Sequence, residues 1–179
     1  MAIGYFPAVI ASLAARGQSG VGVAFETQRL YLGQYVCVMR RGHPLAEAPL
    51  TLDDYCAARH LLVSFSGRPY GFIDQTLGAL GRERRIVVTV NQFFTAGRVV
   101  ARSDLLTVLP ASFVDATGYK AQLVERPLPL TMARIHVEAM WHMRHDRVSS
   151  HQWLRERLVE AARPRVGTTI AAAKTPSQP

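Results

Sequence analysis

From Tyr35 onward the chain alternates short runs of aliphatic and β-branched residues with amphipathic stretches of about ten residues. Unbroken apolar runs suit strands covered on both faces, and the segments between them suit crossover helices, so the pattern predicts a parallel sheet with helices on it. Tyr35 to Met39 (YVCVM) predicts the first of these strands, ended by Gly42, His43 and Pro44. Thr51 and Asp54 stand at capping-box spacing and open a short helix, Leu52 to Ala58. Leu61 to Phe65 (LLVSF) is the next strand. After the Ser66-Gly67-Arg68-Pro69 loop, Ile73, Leu77 and Leu80 fall on one face of a helix over Gly71 to Leu80, which Gly81 closes. Ile86 to Val90 is a third strand, Asn91 a cap for a helix through Arg102, and Leu105 to Leu109 a fourth strand. Pro110 suits the first turn of a helix to Thr117, where its missing N–H is not needed. Leu123 to Arg126 is a short fifth strand.

Beyond Pro127 and Pro129 the pattern changes to strict alternation. Ile135, Val137, Ala139, Trp141 and Met143 share one face and the polar residues between them the other, which predicts a half-buried strand over Arg134 to Arg144. Ser149 and Gln152 open a last helix that turns Trp153, Leu154, Leu158 and Ala161 inward. The stretch 163–179 is small, polar and proline-containing, the composition of a disordered tail. At the other end, Ala2 to Phe6 suits a strand, but the residues up to Gly22 mix Ala and Gly with no firm period.

Composition narrows the classes. With 49% hydrophobic and 19% charged residues over 179 positions, the chain has ample apolar surface to fold. Cys37 and Cys56 match no metal or redox spacing and read as reduced thiols of a cytoplasmic protein. No apolar run reaches the ~20 residues that cross a bilayer, and no basic residue precedes Arg16 as a signal peptide requires. The net charge of +8, carried by 19 arginines among 21 basic residues, raises the question of nucleic acid. The arginines are scattered, however, with no helix-turn-helix, no zinc finger and no basic–aromatic interleaving, so they read as solvated faces with some attraction for small anions. Catalytic signatures are missing too: there is no Gly-x-Ser-x-Gly elbow and no P-loop lysine. His142 and His145 point to opposite faces of the strand end, and His136 and His142 look like ordinary polar-face residues. No metal, no cofactor and no enzymatic activity are expected.

The segments YVCVMRRGHPLA, HLLVSFSG with the following GFID, LLTVLP, and AMWHMRHDRVSSHQWLRERL, in this order, resemble the effector-binding domain of LysR-type transcriptional regulators. The resemblance runs from Ala2 to about Ala162 and is strongest to the branch related to nodulation and aromatic-degradation regulators. It implies an α/β fold of two Rossmann-like lobes, of the type II periplasmic-binding-protein kind. On that fold, 35–129 form one lobe, and 1–34 with 130–162 form part of the other. AIGYFP resembles a strand midway through the family's first lobe, so that lobe is expected to be incomplete and the helix-turn-helix through which the family reaches DNA lies outside this sequence. An incomplete lobe leaves a sheet edge and apolar surface, from which self-association, or association with a full-length regulator, is expected.

Open α/β sheets take ligands beyond the carboxyl ends of their strands, where helix N-termini present N–H groups. Those places are Ser64, Phe65 and Ser66 after LLVSF, the turn containing Gln92, Phe93 and Phe94 after IVVTV, Pro110 after LLTVL, and Tyr5, Phe6 and Pro7 after AIG. By resemblance, Tyr5 to Pro7, Gln92 to Phe94 and Pro110 match positions lining the family's cleft. Hydroxyls, amides and aromatic rings together suit a small aromatic or dicarboxylate anion. The plainer alternative is that Phe93 and Phe94 are core packing and that Ser64 and Ser66 are loop residues. A solute-binding carrier or a small enzyme on the same two-lobe fold is the rival function.

Overall fold

Tyr35–Arg40 (β3) shows how the apolar runs are used. Its alternate side chains face opposite ways, and both faces are covered: Val36, Cys37, Val38 and Met39 are 5% exposed or less. Val36 and Val38 join Leu61, Leu109, Ala96, Val100 and Val114 in one apolar layer, whereas Cys37 and Met39 join Tyr55, Ile73, Leu77 and Leu106 in a second. A run with no polar position is therefore a strand between two cores.

The computed structural model describes residues 1–18, 24–132 and 134–162, and the tail at 163–179 lies outside them. The described chain forms two units, one spanning Leu32–Ile135 and the other Met1–Tyr31 with the chain from His136 onward.

In the Leu32–Ile135 unit the remaining strands are β4 (Arg59–Val63), β5 (Arg85–Val90), β6 (Thr107–Pro110) and β7 (Leu123–Pro127). β4 and β5 pair in parallel. β4 is joined to β6, also in parallel, by the bonds Leu61 N–H to Leu106 O (2.8 Å) and Leu106 N–H to Arg59 O (2.9 Å). β3 lies between β6 and β7 and runs antiparallel to both, so the wholly parallel sheet expected from the pattern is instead a mixed one. A strand buried on both faces reads the same in either direction. The helices are α2 (Leu52–Ala57), α3 (Phe72–Ala79), α4 (Phe93–Val100) and α5 (Ala111–Ala116). α2 and α3 supply one apolar layer, and α4 and α5 the other.

Local signals set these helices. The Thr51 hydroxyl accepts from Asp54 N–H at 3.1 Å and donates to the Asp54 carboxylate at 2.5 Å. Gly81, at φ 65°, ends α3 by giving its N–H to Gly78 O while Arg82 N–H reaches back to Leu77 O. Leu80 is 57% exposed rather than inward, because the cap residue turns it off the helix face. α4 begins one residue later than expected, with Gln92 rather than Asn91 at the cap. It packs so closely on the end of α5 that a Cβ at Gly97 would stand 2.5 Å from the Thr117 Cβ.

A buried polar cluster links the strands to α3. Arg84, whose side chain is 1% exposed, donates from Nε to Asp74 Oδ1 (2.8 Å), from Nη2 to Asp74 Oδ2 (3.2 Å) and from Nη1 to the Tyr55 hydroxyl (2.8 Å). Burial works against its charge, but Asp74 and Tyr55 outweigh it and raise its pKa. Asp74 Oδ2 also accepts the Gly71 N–H at 2.7 Å. Next to this cluster His60 Nε2 donates to Tyr55 O at 2.7 Å, while its buried Nδ1 has no partner among the described residues. Burial pushes the His60 pKa down to about 4 and the Cys37 thiol up to about 12, so both are neutral near pH 7.

In the second unit β8 (Ile135–His142) lies between β1 (Ala2–Gly4) and β2 (Phe25–Gly33). β1 pairs with it antiparallel, Ile3 opposite Ala139. The alternation holds in part: Ile135, Ala139 and Trp141 are buried. Glu138, on the polar face, is buried as well, 3.9 Å from Arg29. Met143 falls past the strand end and is half exposed. The unperiodic Ala/Gly stretch contains a helix, α1 (Pro7–Gln18), and β2 was not foreseen. The last helix, α6 (Ser149–Ala162), begins at the expected cap residue itself, one position early, with Gln152 N–H on Val148 O. Of the residues expected inward, Trp153 (62% exposed), Leu154 and Ala161 are exposed and Leu158 is half-buried, so α6 does not bury its apolar face as expected.

Candidate functional site

Because β4, β5 and β6 run the same way, their carboxyl ends open on one edge of the Leu32–Ile135 unit. Ser64 is fixed there by its N–H bond to Val90 O (2.8 Å) and is 7% exposed. Its hydroxyl lies 3.3 Å from that of Ser66, and Arg68 Nε donates to Ser66 Oγ at 3.4 Å. Between them Gly67, at φ 71°, allows the tight turn that brings its N–H to Ser64 O (3.2 Å).

The aromatic candidates meet at the same edge. Phe65 projects with 75% exposure and sets its ring edge-to-face on Phe93, centroids 5.6 Å apart. Phe93 also contacts Phe113, at 4.9 Å, and leans on the apolar layer below, so core packing and surface display are both part of its role. Phe94 is 53% exposed and 6.3 Å from Phe113. Gln92, in extended conformation, caps α4 without a side-chain bond, and no acidic residue occupies the helix's first turn. The edge thus combines helix-end N–H groups, two hydroxyls and exposed rings, a setting that favours an anion with an apolar body.

Pro110 ends β6 and caps α5, and its neighbour Ala111 gives its N–H to Gln34 O at 2.9 Å. Tyr5 and Phe6 belong to the other unit. Tyr5 is 46% exposed; the Phe6 ring folds over Gly4, where a Cβ would come within 2.9 Å of it. Phe6 O accepts from Ile10 N–H at 3.0 Å as α1 begins at Pro7.

Sequence reasoning passed over Phe113 and Arg68. Phe113 stands three residues after Pro110, within the first turn of a helix that follows a strand end, which is signal enough to have found it. Arg68 lies inside the loop already singled out. A separate depression of about 290 Å³, lined by His43, Leu45, Asp54, Ala57, Ala58, Arg59 and Asp104, lies at the amino-terminal ends of β4 and β6 and contains none of the candidates. Among the described residues no group of three His, Cys, Asp or Glu side chains is placed to hold a metal ion, and no helix is long and apolar enough to cross a membrane.

An α/β chain with a strand-end surface of this kind fits the ligand-binding class, and comparison with known proteins narrows it. The LysR substrate binding domain family matches residues 11–163, and the chain belongs to that family. It is 30% identical over 132 residues to the HTH-type transcriptional activator NahR of Pseudomonas putida, covering 74% of this chain and 44% of NahR. The chain therefore spans less than half the length of that relative. The regulatory domain of MexT, a transcriptional activator in Pseudomonas aeruginosa, superposes with a TM-score of 0.69 at 25% identity, over 88% of this chain and 70% of that one. The effector-binding domain of QuiR, in complex with shikimate, superposes with a TM-score of 0.60 at 13% identity, over 79% and 66% of the two chains. The fold is thus the LysR effector-binding fold of the type II periplasmic-binding-protein kind, and the matched relatives are transcriptional regulators, not enzymes.

Proposed function

We propose that this chain is the ligand-sensing part of a cytoplasmic LysR-type regulator and takes a small organic anion, aromatic or dicarboxylate, at the strand-end edge of the Leu32–Ile135 unit. The observation that carries the reading is the convergence of Ser64, Phe65, Ser66 and Phe93 at the start of α4, whose cap residue makes no side-chain bond. Tyr5, Phe6 and Pro7, which follow β1 in the other unit, are the second set of residues assigned to the ligand in this reading. The QuiR domain is in complex with shikimate, which is likewise a small organic anion, although a non-aromatic monocarboxylate. Ligand shifts the protein between conformations only by its preference for one of them. Exposed Ile3, Val9, Trp153 and Leu154 supply apolar surface for association with a second copy or with a full-length regulator, whose helix-turn-helix would make the DNA contact.

Thermal unfolding with a panel of benzoate, phthalate, succinate and shikimate tests the reading. An anion at a hundred times its Kd stabilises the chain by about 2.7 kcal/mol. The Phe93→Ala variant, compared with wild type at matched stability, is expected to lose most of that gain. A panel that leaves the unfolding midpoint unmoved contradicts the reading.

A further inference from the structure

We infer that Arg68 is the residue that recognises the negative charge of the bound anion. The inference rests on the strand-end site proposed above and adds the group that sets its preference for charge. Of the residues in the three loops that form the edge, 64–71, 91–94 and 110–113, Arg68 is the one that carries a charge.

Its surroundings leave the guanidinium available. Every Asp and Glu of the chain lies among the described residues, and none of them pairs with Arg68. Other arginines are already committed: Arg40 to Asp104, Arg82 to Asp53, Arg84 to Asp74, Arg155 to Asp146 and Arg157 to Glu160. The one hydrogen bond that Arg68 makes among the described residues is from Nε to Ser66 Oγ, which leaves both Nη groups to donate. That bond is also what holds it. Ser66 is tied to the Ser64 hydroxyl, and Ser64 to the end of β5 through Val90 O, so Arg68 is anchored to the loop that carries Phe65, whose ring meets Phe93.

The far end of the loop is held as well, by Gly71 N–H on Asp74, whose carboxylate is locked by buried Arg84. A loop clamped at both ends pre-orders its arginine, and a planar guanidinium with two free Nη groups matches a carboxylate in bidentate fashion. The rings of Phe65 and Phe93, on the same edge, would take the body of the ligand.

The experiment is calorimetric titration of wild type, Arg68→Lys and Arg68→Gln with benzoate, its uncharged counterpart benzamide, succinate and shikimate. Arg68 is exposed, so neither substitution is expected to shift the unfolding midpoint. Wild type is expected to prefer benzoate to benzamide. Arg68→Gln is expected to weaken carboxylate binding roughly ten- to a hundredfold while leaving benzamide unchanged, and Arg68→Lys to fall between them. Arg68→Gln binding carboxylates as tightly as wild type overturns the assignment and leaves the strand-end site standing. Wild type binding none of the three carboxylates overturns the site and the assignment together.

Discussion

Replacing Arg84 by leucine is expected to lower the free energy of unfolding by about 3–5 kcal/mol, the range for removing one partner of a buried ion pair. The cost comes less from the lost attraction than from what remains. Asp74, with an 11% exposed side chain, would lose its two guanidinium bonds, and the buried Tyr55 hydroxyl would lose its donor. The same carboxylate holds Gly71 N–H at the start of α3, so Asp74→Asn is expected to be costly as well, weakening the helix start along with the pair. Removing both charges, as Arg84→Leu with Asp74→Asn, is expected to cost less than the sum of the single changes, because no unpaired charge is left inside. Urea unfolding followed by circular dichroism reads all four proteins. A loss under about 1 kcal/mol for Arg84→Leu would place the pair with ordinary surface bridges and contradict the account.

Acid lability is the second large effect. His60 titrates near 4 in the folded chain and near 6.5 when unfolded, since burial excludes its charged form by more than the bond to the Tyr55 carbonyl favours it, with Arg84 opposing the charge and Asp74 favouring it to smaller extents. Between these two values the unfolded state binds more protons, so stability falls as pH falls through that window. The difference amounts to about 3 kcal/mol by pH 4, at 1.36 kcal/mol per pKa unit. His43, whose pKa is also lowered by burial, leans the same way, so the test compares wild type with His60→Gln. The variant is expected to show a flatter stability profile from pH 7 to 4, measured by urea unfolding at each pH. Parallel profiles for the two proteins would remove His60 from the explanation.

Much of the Leu32–Ile135 unit was legible because its strands are continuous apolar runs and its helices carry local stop and start signals. YVCVM, LLVSF and IVVTV each mark a strand, Thr51 with Asp54 marks α2, and Gly81 marks the end of α3. The direction of β3 was not legible, since direction leaves no trace in a strand buried on both faces. β2 was missed because Glu26, Thr27, Gln28 and Arg29 are exposed in succession, with no alternation to read. α6 shows the reverse failure: its sequence has apolar residues at helical spacing, yet no side chain is buried, so spacing foretold the helix but not its cover. At the site, strand ends were readable from where the apolar runs stop. The ring contacts of Phe113 and the tether of Arg68 through Ser66 to Ser64 depend on which strands lie side by side, and that is a property of the fold.

Amide hydrogen exchange with and without the anion that stabilises the chain most tests the central claim directly. Bound ligand at the strand-end edge is expected to slow exchange at Ser64 to Gly71 and at the start of α4, Phe93 to Ala96, and to leave α2 and β7 unchanged. Protection confined to the depression around His43 and Asp104, or binding with no change in either of the two named segments, would contradict it.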